Sequence, residues 1–212
     1  MDNQEKVWDE IAESWQKYRS QNTKSFQDVQ KFLKEIAEQN PGKVLDIGIG
    51  NARNFIQFKN KKFKLYGVDF SEEMLKQAKK TARNNNLKII LKKANVIKLP
   101  YKNSEFDYVI CISVLHHLNK KNQIKALKEV FRILKTNSIF LISVWNKKQM
   151  RNPPKFKQGF IKWKIDDKVL KRYYYFFDKV ELENLLKLVG FNIIKAKEDK
   201  NIVFLCKKPS KV

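Results

Sequence analysis

Five short apolar runs, set apart by segments with apolar residues at helical spacing, constrain this chain more than any other feature. KVLDIG (43–48), KLYGVDF (64–70), KIILKKA (88–94), FDYVICIS (106–113) and SIFLISVW (138–145) read as strands. Between most of them Asn51–Phe58, Ser71–Asn84 and Lys121–Leu134 read as helices. Strand and helix alternating in this way predict a parallel sheet covered by helices on both faces. The unbroken hydrophobicity of VICIS and IFLISV fits strands buried on both sides.

The flanks extend this plan. EKVWDEIAESWQKY at 5–18 puts Val7, Ile11, Trp15 and Tyr18 on one helical face, QDVQKFLKEIAEQ at 27–39 repeats the pattern, and Pro41-Gly42 closes it. After Trp145 comes the basic segment NKKQMRNPPKFKQGFIKWK with few apolar anchors; over 147–172 Phe156, Phe160 and Trp163 among lysines read as an RNA-facing loop, the alternative being an ordinary solvated insertion. A helix near 178–189 stops at Gly190, and strands at 191–196 and 201–207 form an antiparallel edge hairpin around Asp199-Lys200-Asn201. A chain of 212 residues buries about 70% of its unfolded surface around one core, so 1–212 reads as a single domain. Its parts are N-terminal helices (1–40), a core (41–146), a basic insertion (147–177) and a C-terminal helix and hairpin (178–212).

Composition enters through charge. Forty-five Lys and Arg against 22 Asp and Glu leave +23, the electrostatic footprint of a polyanion binder. A solvated lysine surface in an Asn- and Ile-rich chain, or an anionic membrane surface, would show the same count. Cys111 and Cys206 lie in apolar runs without a CxxC partner, which predicts buried thiols in a reducing compartment and no zinc framework. No stretch reaches the roughly 18 apolar residues of a membrane span, so the expected location is the cytoplasm.

The strongest local signal is VLDIGIGNARN at 44–54, a strand ending in Asp46 that runs through Gly48 and Gly50 toward a helix. Glycines there let a ligand approach the backbone. A dinucleotide fingerprint would need a third Gly where Arg53 stands, and no GK[ST] phosphate loop is present. Asp69 closes the second strand, where a carboxylate can accept hydrogen bonds from two ribose hydroxyls. The pattern predicts nucleoside binding without pyrophosphate binding.

DIGIGNAR, GVDFSEEML, ANVIKLPY, FDYVICIS and RILKTNSIFLISVW, in this order, resemble the successive motifs of class I S-adenosylmethionine-dependent methyltransferases. The resemblance implies an α/β Rossmann-like fold, a mostly parallel seven-stranded sheet with an antiparallel edge strand and helices on both faces, and S-adenosylmethionine as cofactor. It places cofactor contacts at Tyr18, Asp46, Gly48, Gly50, Asn51, Asp69, Phe70, Met74, Asn95, Val96, Ile112 and His117. Asp46 would take the amino-acid end and Asp69 the sugar.

A narrower resemblance lies in VLHHL (114–118), VWN (144–146), RYYYFF (172–177) and the opening WDEIAESWQKYR. These are similar to the tRNA methyltransferases that esterify a 5-carboxymethyl group on the wobble uridine. That implies a tRNA anticodon loop as substrate and a small zinc-binding activator subunit added to the sheet edge as a heterodimer; the basic insertion 147–177 is read as substrate-facing from its own lysines and aromatics. Small-molecule methyltransferases of quinone or lipid-precursor type share VLHHL, and a non-catalytic RNA-binding relative would keep the fold. The chain departs from the family pattern at Asn95 (usually Asp), at KTNS (135–138) in place of an RPGG turn, at Tyr175 (usually His), and at SQNTKSF (20–26), which lacks a Pro-Trp pair. Asn137 can still supply a left-handed turn residue.

A carboxylate nucleophile is ionised at neutral pH because its pKa is near 4, so the site needs groups that orient an anion rather than a general base. Arg19, His116 and the Trp145-Asn146 pair are the candidates: Arg19 to grip a carboxylate or phosphate, His116 to donate a hydrogen bond, Trp145 to stack on a flipped-out base. Of the adjacent His116 and His117, one is expected to face the pocket. No metal site is expected.

Overall fold

The structure, a computed structural model, describes residues 4–21, 27–150 and 153–210. Two helices, α1 (Gln4–Gln21) and α2 (Gln27–Ala37), precede β1 (Lys43–Ile47), β2 (Lys64–Asp69), α3 (Glu72–Asn84), β3 (Ile89–Lys93) and β4 (Phe106–Ile112). Then come α4 (Lys120–Ile133), β5 (Leu134–Trp145), β6 (Gln158–Ile165), β7 (Lys168–Tyr175), α5 (Lys179–Val189), β8 (Asn192–Glu198) and β9 (Asn201–Lys207).

Seven strands form one sheet in the order β3-β2-β1-β4-β5-β9-β8, as the Rossmann-like reading requires. Pairing is parallel from β3 to β5, and β9 runs antiparallel between β5 and the edge strand β8. Successive strand residues face opposite sides, and the sheet uses both. Leu45, Ile47, Val109, Cys111, Phe140 and Phe204 pack with Leu127 and Val130 of α4 and Leu182 and Leu186 of α5. Val44, Tyr108, Ile110, Leu141 and Val203 pack on the other side with Leu33 and Ile36 of α2 and Leu75 and Ala78 of α3. Cys111 and Cys206 are both buried and free, their thiols pushed up to about 12 by burial.

The helix starts are chemically marked. Ser71 caps α3 by accepting from the Met74 amide at 3.1 Å, Asn119 caps α4, and Asp178 caps α5, which Gly190 ends in a left-handed conformation. Asn137 takes φ 62° in the turn of KTNS, and its amide donates to Lys208 O at 2.8 Å.

Two expectations are corrected. The helix expected at 51–58 is a 3-10 helix, Arg53–Phe58, because Ala52 takes φ 60° and resets the chain direction. The basic insertion is not a loop: β6 and β7 pair antiparallel in a separate two-stranded sheet turning at Asp166-Asp167, with Asp166 at φ 48°. Its inner face packs on α1, where Trp163, Ile165 and Leu170 meet Ile11 and Ala12. Residues 22–26 of the SQNTKSF departure, and 151–152 of the insertion, lie outside the described residues.

Candidate active site

The order reversal between β2-β1 and β4-β5 opens a crevice at the carboxyl ends of the strands, where open α/β sheets bind ligands. Here α1 and the β6–β7 hairpin roof that crevice and enclose a cavity of about 820 Å³, within the usual range for small-molecule sites. Of the residues expected to contact cofactor or substrate, all but Asp46 and Asn146 line it.

The floor follows from the β1 loop. Gly48 (φ 65°) and Gly50 (φ 54°) turn the backbone into the left-handed region, and a side chain on Gly50 would meet the Trp15 ring at 3.3 Å. The Gly50 amide donates to Asp69 Oδ2 at 2.9 Å and the Ser71 amide to Oδ1 at 3.1 Å. These bonds aim the carboxylate at the cavity. Burial pushes Asp69 up to about 6, against the pull of those amides.

Asp46 stands one layer back. Its Oδ2 accepts from Asn54 Nδ2 at 2.8 Å, and Asn54 lines the cavity in its place. Asp46 Oδ1 and Asn54 Oδ1 are buried without a hydrogen-bond partner. Burial pushes Asp46 up to about 7, with the Asn54 bond opposing. Orphaned acceptors beside a glycine turn fit the ammonium of a methionine moiety, and Asp69 fits ribose hydroxyls. Asn51 and Met74 complete this side, with Asn51 Nδ2 bonded to Gln16 Oε1. Asn95 lines the far end, its Oδ1 accepting from the Ile97 amide at 3.2 Å, with Phe70, Val96 and Ile112 beside it.

A second group of lining residues is cationic. Arg19 from α1 and Arg172 from β7 both line the cavity, and no acidic side chain pairs with either among the described residues. The Nε atoms of both are buried without a partner. Arg172 lies 4.5 Å from the Trp163 ring centroid and Arg19 5.3 Å from that of Trp15. Burial pulls both guanidiniums below their ordinary range, and the Arg172 charge lowers Arg19 further. Arg53 joins them, drawn down to about 9 by burial and then by Arg19.

Both histidines face the cavity, although one was expected to pack elsewhere. The Trp145 amide donates to His116 Nδ1 at 3.2 Å, which puts the ring proton on Nε2. His117 Nδ1 donates to Tyr173 O at 2.9 Å. Burial holds His116 well below 6.5 and His117 at about 3, with neighbouring cations adding to the effect. Both rings are neutral at physiological pH. His116 stacks on Tyr174 at 5.1 Å, and Trp145 meets the same ring at 5.6 Å.

Asn146 is spent elsewhere: its Nδ2 donates to Asp199 O at 2.9 Å and its Oδ1 accepts from the Lys148 amide, so it pins the β8–β9 turn. The site residues that sequence reasoning did not assign are Arg172, Tyr174 and Asn54, while Trp163, expected on an RNA-facing loop, turns inward and lines the cavity. Period-2 alternation in GFIKWKI and KVLKRYY around Asp166-Asp167 was the signal for the first two.

Comparison with known proteins brings this chain together with methyltransferases. A methyltransferase-domain family model matches residues 44–137. The uncharacterised protein MJ1252 of Methanocaldococcus jannaschii is 32% identical over 203 residues, covering 88% of this chain and 75% of that one. The tRNA (carboxymethyluridine(34)-5-O)-methyltransferase of Schizosaccharomyces pombe is 25% identical over 92% of this chain and 91% of its own. The crystal structure of the Burkholderia thailandensis 1,6-didemethyltoxoflavin-N1-methyltransferase, with its substrate and S-adenosylhomocysteine bound, shares the fold with a TM-score of 0.75 at 17% identity, covering 97% of this chain and 87% of that one. The chain carries a methyltransferase domain and shares the fold of S-adenosylmethionine-dependent methyltransferases. It is an S-adenosylmethionine-dependent enzyme of the same family as MJ1252.

Proposed function

We propose that the chain methylates a carboxylate, the 5-carboxymethyl group on the wobble uridine of a tRNA anticodon, giving the methyl ester. The observation that carries this reading is the pair Arg19 and Arg172, one half-buried and one buried, whose Nε atoms are buried without partners and which line the cavity with no acidic side chain paired to either among the described residues. A buried cation without a counter-ion is costly, and an anionic substrate removes that cost. The net charge of +23 and the near full-length similarity to the S. pombe enzyme support RNA as the carrier.

Bound S-adenosylmethionine supplies a methyl group on a sulfonium; its transfer to a carboxylate oxygen forms one C–O bond, breaks one C–S bond and moves no proton. The protein therefore needs positioning and dryness more than acid-base chemistry. Arg19 and Arg172 hold the carboxylate, His116 Nε2–H donates to it, and Tyr174, Trp145 and Trp8 exclude water and offer faces for the base. The activator subunit belongs to the same proposal: β3 and β8 each present one unpaired edge, with Ile90 and Ile194 about half exposed.

Purified chain, with and without a candidate activator, is incubated with labelled S-adenosylmethionine and tRNA bearing 5-carboxymethyluridine. Alkali-labile label at the wobble position is the expected result. No transfer to that tRNA under either condition, with transfer to a small planar acid instead, would replace the reading with the small-molecule one, which the aromatic lining of the cavity also accommodates.

A further inference from the structure

The β6–β7 hairpin has two faces of different character. Trp163, Arg172 and Tyr174 point inward to α1 and the cavity, while Phe160, Lys162, Lys164, Val169, Lys171 and Tyr173 lie on the other face. On this face Lys162 stands directly opposite Lys171 in the register. Like charges so placed repel, and no acidic side chain pairs with Lys162, Lys164 or Lys171 among the described residues. Several lysines on other surfaces do have acidic partners: Lys61 pairs with Glu38, Lys93 with Glu5, Lys187 with Glu183 and Lys195 with Glu35. An anion lying across Lys162 and Lys171 would relieve that repulsion.

The aromatic residues on the same face lie at the cavity rim. Phe160 is 44% exposed and packs edge-on to Tyr173 with centroids 5.9 Å apart, and both line the cavity mouth. At the other end the exposed turn carries Asp166 and Asp167, which repel phosphate. A polyanion is thereby directed across the middle of the strands toward the rim.

We propose that this outer face is the docking platform for the single-stranded RNA that carries the substrate base: phosphates on Lys162 and Lys171, a neighbouring base on Phe160 and Tyr173, the target base turned into the cavity. Aromatic rings among lysines are the usual means of holding unpaired nucleotides. The proposal rests on the tRNA reading above, and the experiment separates the two.

Binding of an unmodified anticodon stem-loop RNA is measured by fluorescence anisotropy across a salt series for three proteins: the wild type, Lys162→Glu/Lys171→Glu, and Lys61→Glu/Lys187→Glu, which changes net charge equally on other surfaces. The expected result is a loss of about tenfold or more for the hairpin variant alone. Its slope of log K against log salt should be shallower by about 1.4, at roughly 0.7 per lost single-strand phosphate contact. Calorimetric binding of S-adenosylhomocysteine stays at the wild-type value, which certifies the fold. Equal weakening of both variants, or none in the hairpin variant while the wild type binds, overturns the platform and leaves the tRNA reading standing. A wild type that ignores RNA and binds vesicles of anionic phospholipid overturns both.

Discussion

The indole Nε1 of Trp163 donates a 2.9 Å hydrogen bond to the hydroxyl of Ser14, joining the hairpin to the N-terminal helix across the mouth of the active site. Trp163 also lies under Arg172 and edge-on to Tyr18, with centroids 5.5 Å apart in the latter pair. One side chain thus fixes the roof and one of the two arginines beneath it.

Trp163→Ala should therefore cost about 2–4 kcal/mol, somewhat below the range for a fully buried tryptophan. Hydrogen exchange should quicken in residues 158–175 and remain slow in β1, β4 and β5. Ser14→Ala removes this bond together with the one its hydroxyl donates to Ile11 O, and should cost about 1–2 kcal/mol. Unchanged exchange in the hairpin would show that the contact does not hold the roof.

Arg19 and Arg172 should trade stability for function. Replacing either with Met removes a buried, unpaired charge, so the ligand-free protein should melt at a higher temperature. Losing one member of a desolvated charge pair with substrate should cost about 2–5 kcal/mol in kcat/KM, with Lys recovering part of it. A variant that melts lower, with activity lost only in proportion, would make these residues packing elements.

The carboxylates set a pH dependence. Without ligand, Asp46 keeps its proton up to about 7 and Asp69 up to about 6. Ammonium and hydroxyl donors favour the ionised forms, so binding releases protons below these values and weakens as pH falls. Affinity for S-adenosylhomocysteine should be flat above pH 8 and decline by up to about tenfold per unit and per group below pH 6. Calorimetry in buffers of different ionisation enthalpy reads the proton release, and Asp46→Asn should reduce it. Net proton uptake at pH 6 would contradict the assignment.

Gly48 tolerates no side chain. A Cβ there would lie 2.3 Å from Val114 Cγ2 on a backbone at φ 65°. Gly48→Ala should cost about 2–4 kcal/mol, combining left-handed strain with overpacking; denaturant melts give the value, and a loss under 0.5 kcal/mol would show that Val114 yields freely.

The sheet was legible because its strands are buried on both faces and so write continuous apolar runs such as VICIS and IFLISV. Asp69, Gly48 and Gly50 were legible because backbone geometry at a strand end demands those residue types. The hairpin was obscured by its composition: its outward lysines and long basic approach read as loop, while the inward residues gain their meaning only from Trp8, Trp15 and Ser14 of α1, distant in sequence. Asp46 stands a layer farther back than its sequence position suggests, and Asn146 was misplaced, for a related reason. Both are polar groups at strand ends, and only the structure shows Asn54 interposed before one and Asp199 claiming the other.

The roof has a consequence for biogenesis. Its two halves, α1 and β6–β7, emerge from the ribosome at opposite stages of synthesis, yet each covers the other's aromatic face. Until the hairpin is made, Trp8 and Trp15 lack their cover and Arg19 lacks its neighbour. The helix can dock early on α3, where Ser71 Oγ donates to Asp9 and Met74 packs on Ile11 and Ala12, but its hairpin-facing side stays open until β6–β7 is made, so loss of either half opens the same lid.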